Sequence, residues 1–374
     1  MRKRLLLLGG GHAHLHVLKS LGDVPLENVD VTLLTPWPHQ VYSGMLPGWV
    51  AGHYTIDQCV IPLAPLARRA GIVFCEDRAI ALDLINNTVT CSKGTVLPFD
   101  VLSIDTGSVA DLSAIPGANE HAISVRPIEA FIEHVARIKA AAHYDGATGK
   151  ATRFAFIGAG AGGIELALGL QHAFAKENGM VEISLVSAAN TLPGNVGKRL
   201  VRILAKRGLE LIAGQAATRI GAGAVHLASG NKLDADVIIT ATGAAAAAWP
   251  RAAGLACDER DFILVNDNLQ STSHPQVFAA GDCATMINFS RPKSGVYAVR
   301  GGPPLANNLR RFLAQQPLKT YTPQARSLYL LSTGDRYAIA SWGSFTWEGE
   351  WVWKWKDWID RGFVGKYTAG TGLS

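Results

Sequence analysis

Residues 153–175, RFAFIGAGAGGIELALGLQHAFA, constrain the fold more than any other part of the chain. A short apolar strand runs into glycines, and the glycines run into residues with helical spacing. Gly158, Gly160 and Gly163 form a full G-x-G-x-x-G. The first glycine permits a tight turn, the second lets backbone approach a diphosphate, and the third allows close helix–strand packing. The helix start, with its unpaired N–H groups and dipole, favours an anion there. A further apolar strand, VEISLVS (181–187), completes a βαβ unit.

The same plan occurs earlier. RLLLLGG (4–10) is a fully apolar strand ending in glycines, HAHLHVLKSLG (12–22) reads as a helix with Leu15, Leu18 and Leu21 on one face, and VDVTLL (29–34) is the next strand. In both halves a third strand, an antiparallel meander and a buried strand ending in Thr-Gly follow: IVFCE and VLSIDTG in the first, LELIAG and VIITATG in the second. A repeat of this length predicts two similar dinucleotide-type units rather than a solenoid. Strands that are apolar throughout predict parallel sheets covered on both faces. The fold class is therefore α/β, three-layered.

The first glycine motif is imperfect. Gly9 and Gly11 are present, but His14 stands in place of the third glycine. Its side chain is expected to reach toward the diphosphate or toward solvent. His12 and His16 have the i, i+4 spacing of metal ligands. No nearby carboxylate or cysteine completes such a site, so no metal is expected. The acid that usually binds a ribose at the end of the second strand is absent twice, with Thr35 and Ser187 in its place. The choice between NADH and NADPH is therefore not readable.

Composition removes several classes. The opening MRKRLLLL imitates a secretory leader, but its apolar run is four residues long, against roughly 7–15 in a leader. No stretch reaches the roughly 18 apolar residues of a membrane span. The five cysteines (59, 75, 91, 257 and 283) show neither CxxC nor zinc spacing, and read as buried thiols in a reducing, cytoplasmic setting. From residue 291 onward there are 12 Lys and Arg against 5 Asp and Glu, leaving 23 against 25 before it. A basic end suits an anionic partner or surface, but no nucleic-acid-binding pattern is present. The run AAAAAW (244–249) reads as a helix or turn, and LANNLRRFLA (305–314) as a helix with Pro303 and Pro304 in its first turn.

GAGAGGIELA, SIDTGS, ITATG and VFAAGD, in that order across residues 4–315, resemble the two-dinucleotide-binding flavoproteins, the pyridine nucleotide–disulfide oxidoreductase superfamily. VYSGMLPGWVAGHY (41–54) and GVYAVRGGPPLANNL (295–309) are similar to its type II NADH dehydrogenase branch and to the oxidoreductase portion fused to selenophosphate synthetase. The resemblance implies an FAD domain in two parts, 1–120 and 263–315, interrupted by an NAD(P)H domain at 121–262 and followed by a small α+β region, 316–374. It implies FAD contacts at Gly9, Gly11, His12, Ala13, His14, Thr35, Tyr42, Ser43, Thr106, Gly107, Gly281, Asp282, Val296 and Tyr297. It implies NAD(P)H contacts at Gly158, Gly160, Gly163, Glu165, Ser187, Thr242 and Gly243, with Glu165 near the nicotinamide. No side chain is expected to act as an essential acid or base in hydride transfer to the flavin.

Two departures bear on the acceptor. The CxxxxC pair of disulfide reductases is missing from VYSGMLPG, so a dithiol relay is not expected. The glutamine-rich quinone motif is replaced by YAVRGG. The implied activity is NAD(P)H oxidation through FAD to a small-molecule acceptor, quinone-like or linked to selenium or sulfur. A sulfide:quinone-type flavoprotein and a non-catalytic nucleotide-sensing module remain as alternatives. Six of nine tryptophans lie between residues 342 and 358. Trp351, Trp355 and Trp358 share one helical face, a composition that suits an interfacial helix. Peripheral membrane contact and packing on the protein's own sheet or a dimer partner are equally open, as is a selenophosphate synthetase partner.

Overall fold

The computed structural model describes residues 2–110, 112–147, 151–176, 180–192 and 196–369. Two five-stranded parallel sheets organise it. The first contains β1 (Lys3–Leu8), β2 (Val29–Thr35), β3 (Val73–Glu76) and β4 (Val101–Ile104). The second contains β5 (Ile123–Ser124), β6 (Thr152–Ile157), β7 (Val181–Ser187), β8 (Glu210–Ala213) and β9 (Val237–Thr240), in the order β5-β9-β6-β7-β8. The first sheet is completed by β10 (Val277–Ala279), giving β10-β4-β1-β2-β3. The repeat seen in the sequence is thus a repeat of strand order. The strand that closes the first sheet comes from beyond the second.

Burial explains the unbroken apolar strands. Leu5, Leu6, Leu7 and Leu8 are each at most 3% exposed, because both faces of the sheet are covered; Leu15 and Leu18 of the following helix and Val89 and Cys91 of an antiparallel meander share their core. On one face lies α1 (His12–Asp23), whose Leu15, Leu18 and Leu21 are buried as its spacing predicts. Each unit also carries a three-stranded antiparallel meander, at residues 79–98 and 217–234. Helix α2 (Leu46–Val50) and helix α3 (Ile128–Ala147) both pack into the second unit's core, and α4 (Ala161–Lys176) follows the second glycine turn.

The helix containing Pro303 and Pro304 starts ten residues earlier than LANNLRRFLA suggests. It is α5 (Gly295–Leu313), with both prolines in its interior. Packing against α1 overrides local propensity here. A methyl group on Gly302 would stand 2.7 Å from His16 Cβ and 3.1 Å from the Ala13 carbonyl, so the two helices meet backbone to backbone. Pro303 and Pro304 leave the carbonyls of Val299 and Arg300 without their helical bonds; none of Val299, Arg300, Pro303 and Pro304 is fully buried, so water can satisfy those oxygens. The alanine run also differs from expectation. Ala244–Ala245 pairs antiparallel with Val109–Ala110, and only Trp249–Ala252 is helical.

The C-terminal region is an antiparallel sheet of β11 (Tyr329–Ser332), β12 (Ala338–Trp342) and β13 (Phe345–Gly349), followed by α6 (Glu350–Thr368). It ties the two cores together. Val352, Trp353, Val364 and Tyr367 of α6 join the first core, while Leu331 and Ile339 join the second.

Candidate functional site

The first cleft opens at the carboxyl ends of β1, β2, β4 and β10, the usual ligand position in an open parallel sheet. The chain leaves β1 at Gly9 with φ 95°. A side chain there would meet the Asp105 carbonyl at 2.4 Å, so both conformation and space demand glycine. Gly11 N donates to that same carbonyl at 3.1 Å, fixing the turn to the Asp105-Thr106-Gly107 strand end. Gly281 and Asp282 follow β10, and Ala280 N donates to Ile104 O. Gly295, Val296 and Tyr297 form the first turn of α5, with Gly295 against Ser43. Thr35 closes β2 beside Gly10. The expected residues of the first site therefore share one cleft.

His14 is the exception. Its side chain points neither into the cleft nor to solvent, but into the protein, where it is fully buried. Nδ1 lies 2.6 Å from the Gly9 carbonyl and Nε2 lies 2.8 Å from Ser103 Oγ. A carbonyl only accepts, so Nδ1 carries the proton and Nε2 accepts from the serine. Burial pushes this imidazole down to about 4, so it is neutral near pH 7. Where a third glycine would let the helix touch the turn directly, His14 spans the gap with two hydrogen bonds.

Three features of the cleft fit a dinucleotide. His12 Nε2 is shut off from solvent and has no partner. Its ring lies 5.8 Å from Tyr42 and 6.0 Å from Phe363 of α6, while Tyr42 stacks on Phe363 at 4.4 Å. Asp282 is half-buried, its carboxyl raised by burial, with Arg126 Nη1 at 3.4 Å. The glycines at 9 and 281, with φ 95° and 73°, bring bare backbone to the cleft floor. Arg126 is a residue that spacing alone does not point to, as is Asp105. The Asp105 carboxyl is 2% exposed and accepts the N–H groups of Ala13 (2.8 Å) and His14 (2.9 Å) through Oδ2.

The second cleft repeats the first at the ends of β6, β7 and β9. Gly158 has φ 111°, and a side chain there would strike the Ala241 carbonyl at 2.5 Å. A methyl group on Gly163 would lie 2.2 Å from the Gly158 carbonyl, so α4 packs directly on the turn. Gly160 faces open space. Ser187 ends β7 and Gly243 follows β9, the two strands that flank β6, and Thr242 Oγ1 is buried without a partner.

Glu165 lies on α4 but faces the C-terminal region. Its Oε1 accepts Ser332 N at 2.7 Å. Burial raises this carboxyl to about 7, opposed by Lys356 and the Ser332 N–H. Lys356, itself buried, donates to the Gly44 carbonyl and to Asp360, both at 2.5 Å. Asp360 in turn bonds Tyr42, whose hydroxyl is raised by burial. One polar chain thus runs along α6 between the two clefts. Spacing could not reveal it, because the lysine and aspartate are remote in sequence from everything they touch except each other.

The outer face of this region is aromatic. Trp351 and Trp358 are 54% and 73% exposed, while Trp353 is buried and Trp355 half-buried against Trp351. Trp342, Phe345 and Trp347 of the adjoining hairpin are exposed too. Among the described residues no helix is long and apolar enough to cross a membrane, and no group of three or more His, Cys, Asp or Glu could hold a metal. All five thiols are raised by burial, Cys59 and Cys283 to about 12 and Cys91 to about 11.

Comparison with known proteins agrees with this geometry. The sulfide:quinone oxidoreductase of Aquifex aeolicus superposes with a TM-score of 0.82 at 21% identity, covering 98% of this chain and 92% of that one. NDH2 from Plasmodium falciparum, solved with NADH, superposes at 0.80 and 14% identity, covering 100% and 99%. In sequence, the assimilatory nitrate reductase electron transfer subunit of Bacillus subtilis is 26% identical over 291 residues, 76% of this chain. The aligned part spans only 36% of that relative's length. The sequence profile of the pyridine nucleotide-disulphide oxidoreductase family matches residues 3–307, and the chain belongs to that family.

Proposed function

We propose that this oxidoreductase binds FAD in the first cleft and NAD(P)H in the second, takes hydride from the nicotinamide, and passes electrons to a further acceptor. The observation that carries the reading is the presence of two glycine-turn clefts on two sheets of the same strand order, with a polar chain from α6 between them. FAD, when bound, supplies the electron-carrying chemistry, and the protein supplies binding, orientation and electrostatics. Gly9, Gly11, His12, Thr106, Gly107, Gly281 and Asp282 would hold its diphosphate and ribityl part, and Thr35 its ribose. Tyr42, Ser43, Val296 and Tyr297 would hold its ring, where the positive end of α5 favours negative charge. Gly158, Gly160, Ser187, Thr242 and Gly243 would hold the nicotinamide nucleotide, with Glu165 at the meeting of the two sites.

The domain boundaries at 120, 262 and 315 belong to the same proposal. So does a quinone-like or sulfur- or selenium-linked acceptor, and so do a homodimer and a selenophosphate synthetase partner. Five raised thiols weigh against a reactive thiolate in this chain. Exposed Trp351 and Trp358, with Trp355 behind them and Lys354 and Arg361 alongside, support peripheral contact with an anionic membrane surface. Heat-released cofactor from the purified protein tests the core of the reading. One FAD per chain is expected, and a chain that never retains or rebinds FAD contradicts it.

A further inference from the structure

The Asp105 side chain occupies an unusual position. It fills the space that two glycines leave empty: a methyl group on Gly11 would stand 2.4 Å from its Cγ, and one on Gly281 would stand 2.4 Å from its Oδ1. Those are the two turns whose bare backbone forms the floor of the first cleft. Oδ2 is committed to the N–H groups of Ala13 and His14, while Oδ1 is the atom wedged between the turns. The carboxyl therefore caps the start of α1 and borders both turns of the cleft floor.

The charges around it are few. From α1 come His14, held neutral, and half-buried His12, whose imidazole is also lowered to about 4. From the loop after β10 come Asp282, of like charge, and the buried Cys283 thiol. α5 brings the uncharged Ala298 against Gly281. Arg126 and Lys293 act on Asp282 instead, and among the described residues no cation pairs with Asp105. Burial accordingly raises the Asp105 carboxyl to about 7, against the two N–H groups that favour its anion.

We infer that Asp105 is a ligand of the cofactor's diphosphate that works as a neutral carboxylic acid, donating a hydrogen bond from Oδ1 to a phosphate oxygen while Oδ2 accepts from Ala13 and His14. A carboxylate and a diphosphate cannot share this enclosed floor while both are ionised. A protonated acid converts that repulsion into a donor–acceptor pair. Ser103 and His14 are not available as donors, because Ser103 points to His14 and His14 has already given its proton to Gly9. The inference rests on FAD occupying the first cleft. It adds that, above the carboxyl's own titration range, each FAD carries one proton in from solvent.

The test is FAD affinity of the apoprotein against pH, read by fluorescence. Expected is a flat profile below about pH 7, then a fall approaching tenfold per pH unit above it. In Asp105→Asn the amide donates where the acid donated, and its oxygen accepts the same two N–H groups. This variant should match the wild type at about pH 6 and show no alkaline fall. A wild-type profile without the fall, an unchanged fall in the variant, or loss of FAD by the variant at low pH overturns the inference. If the variant does not fold, calorimetry of the wild type at about pH 8.5 in buffers of different ionisation enthalpy decides. Uptake approaching one proton per FAD supports the inference, and none overturns it. Failure to bind FAD at any pH would instead overturn the functional reading itself, and this inference with it.

Discussion

His14→Ala separates a histidine that builds the first glycine turn from one that the turn merely tolerates. The ring is fully buried and makes two hydrogen bonds, at 2.6 and 2.8 Å. Its removal leaves the Gly9 carbonyl and the Ser103 hydroxyl without partners, at about 1–3 kcal/mol for each buried group. Lost packing adds to this, and the better helix propensity of alanine returns less than about 0.7 kcal/mol. The expected loss of unfolding free energy is therefore about 3–5 kcal/mol, read from urea denaturation of the apoprotein.

A pH series supplies a second readout. The folded-state imidazole is lowered to about 4 from its ordinary 6.5. Between those values the unfolded chain binds more protons than the folded one, so stability falls as pH drops through that window. His12 behaves alike, and burial also lowers His16, His39, His53 and His172, so His14→Ala should remove part of this acid-side loss and leave the rest. A stability change below about 1 kcal/mol with the acid slope intact would refute the reasoning.

Three further outcomes are expected. Gly160→Ala points into open space and should leave the melting temperature within a few degrees of wild type while weakening NAD(P)H binding. Gly163→Ala, 2.2 Å from the Gly158 carbonyl, should instead lower the melting temperature. Lys356→Met strands buried Asp360 and should cost about 3–5 kcal/mol, most of which Asp360→Leu restores in the double variant; simple additivity of the two single effects in denaturation would contradict a coupled pair. Replacing exposed Trp351 and Trp358 by serine should reduce co-sedimentation with anionic vesicles by at least about tenfold at unchanged melting temperature. Equal sedimentation, or none by the wild type, removes the membrane reading.

The repeat was legible in the sequence because it rests on local rules: apolar strand, glycine spacing, helical periodicity and Thr-Gly strand ends. The glycine turns and the Thr-Gly strand ends followed from the same rules, since strand order places every carboxyl end on one side of each sheet, whereas Tyr42, Ser43, Gly281, Asp282, Val296 and Tyr297 were expected only from the family resemblance. The direction of His14 was not legible. It depends on Ser103, 89 residues away, and on a carbonyl that carries no residue-type signal. Asp105 was hidden for a related reason. It stands within the Thr-Gly strand-end motif, and only the approach of Gly11 and Gly281 gives it a role. The interior position of Pro303 and Pro304 likewise reflects helix contact rather than propensity. Lys356, Asp360 and Tyr42 come together only because α6 returns across the first sheet's cleft, with Phe363 stacked on Tyr42.

The central claim is that two nucleotides meet in this chain and exchange hydride. It is tested most directly by adding one equivalent of NADH or NADPH to the purified yellow protein under anaerobic conditions and following the flavin's visible band. Rapid bleaching is expected, with the colour returning when an acceptor or oxygen is admitted. A flavin that stays oxidised with both nucleotides, in protein that demonstrably binds them, would contradict it.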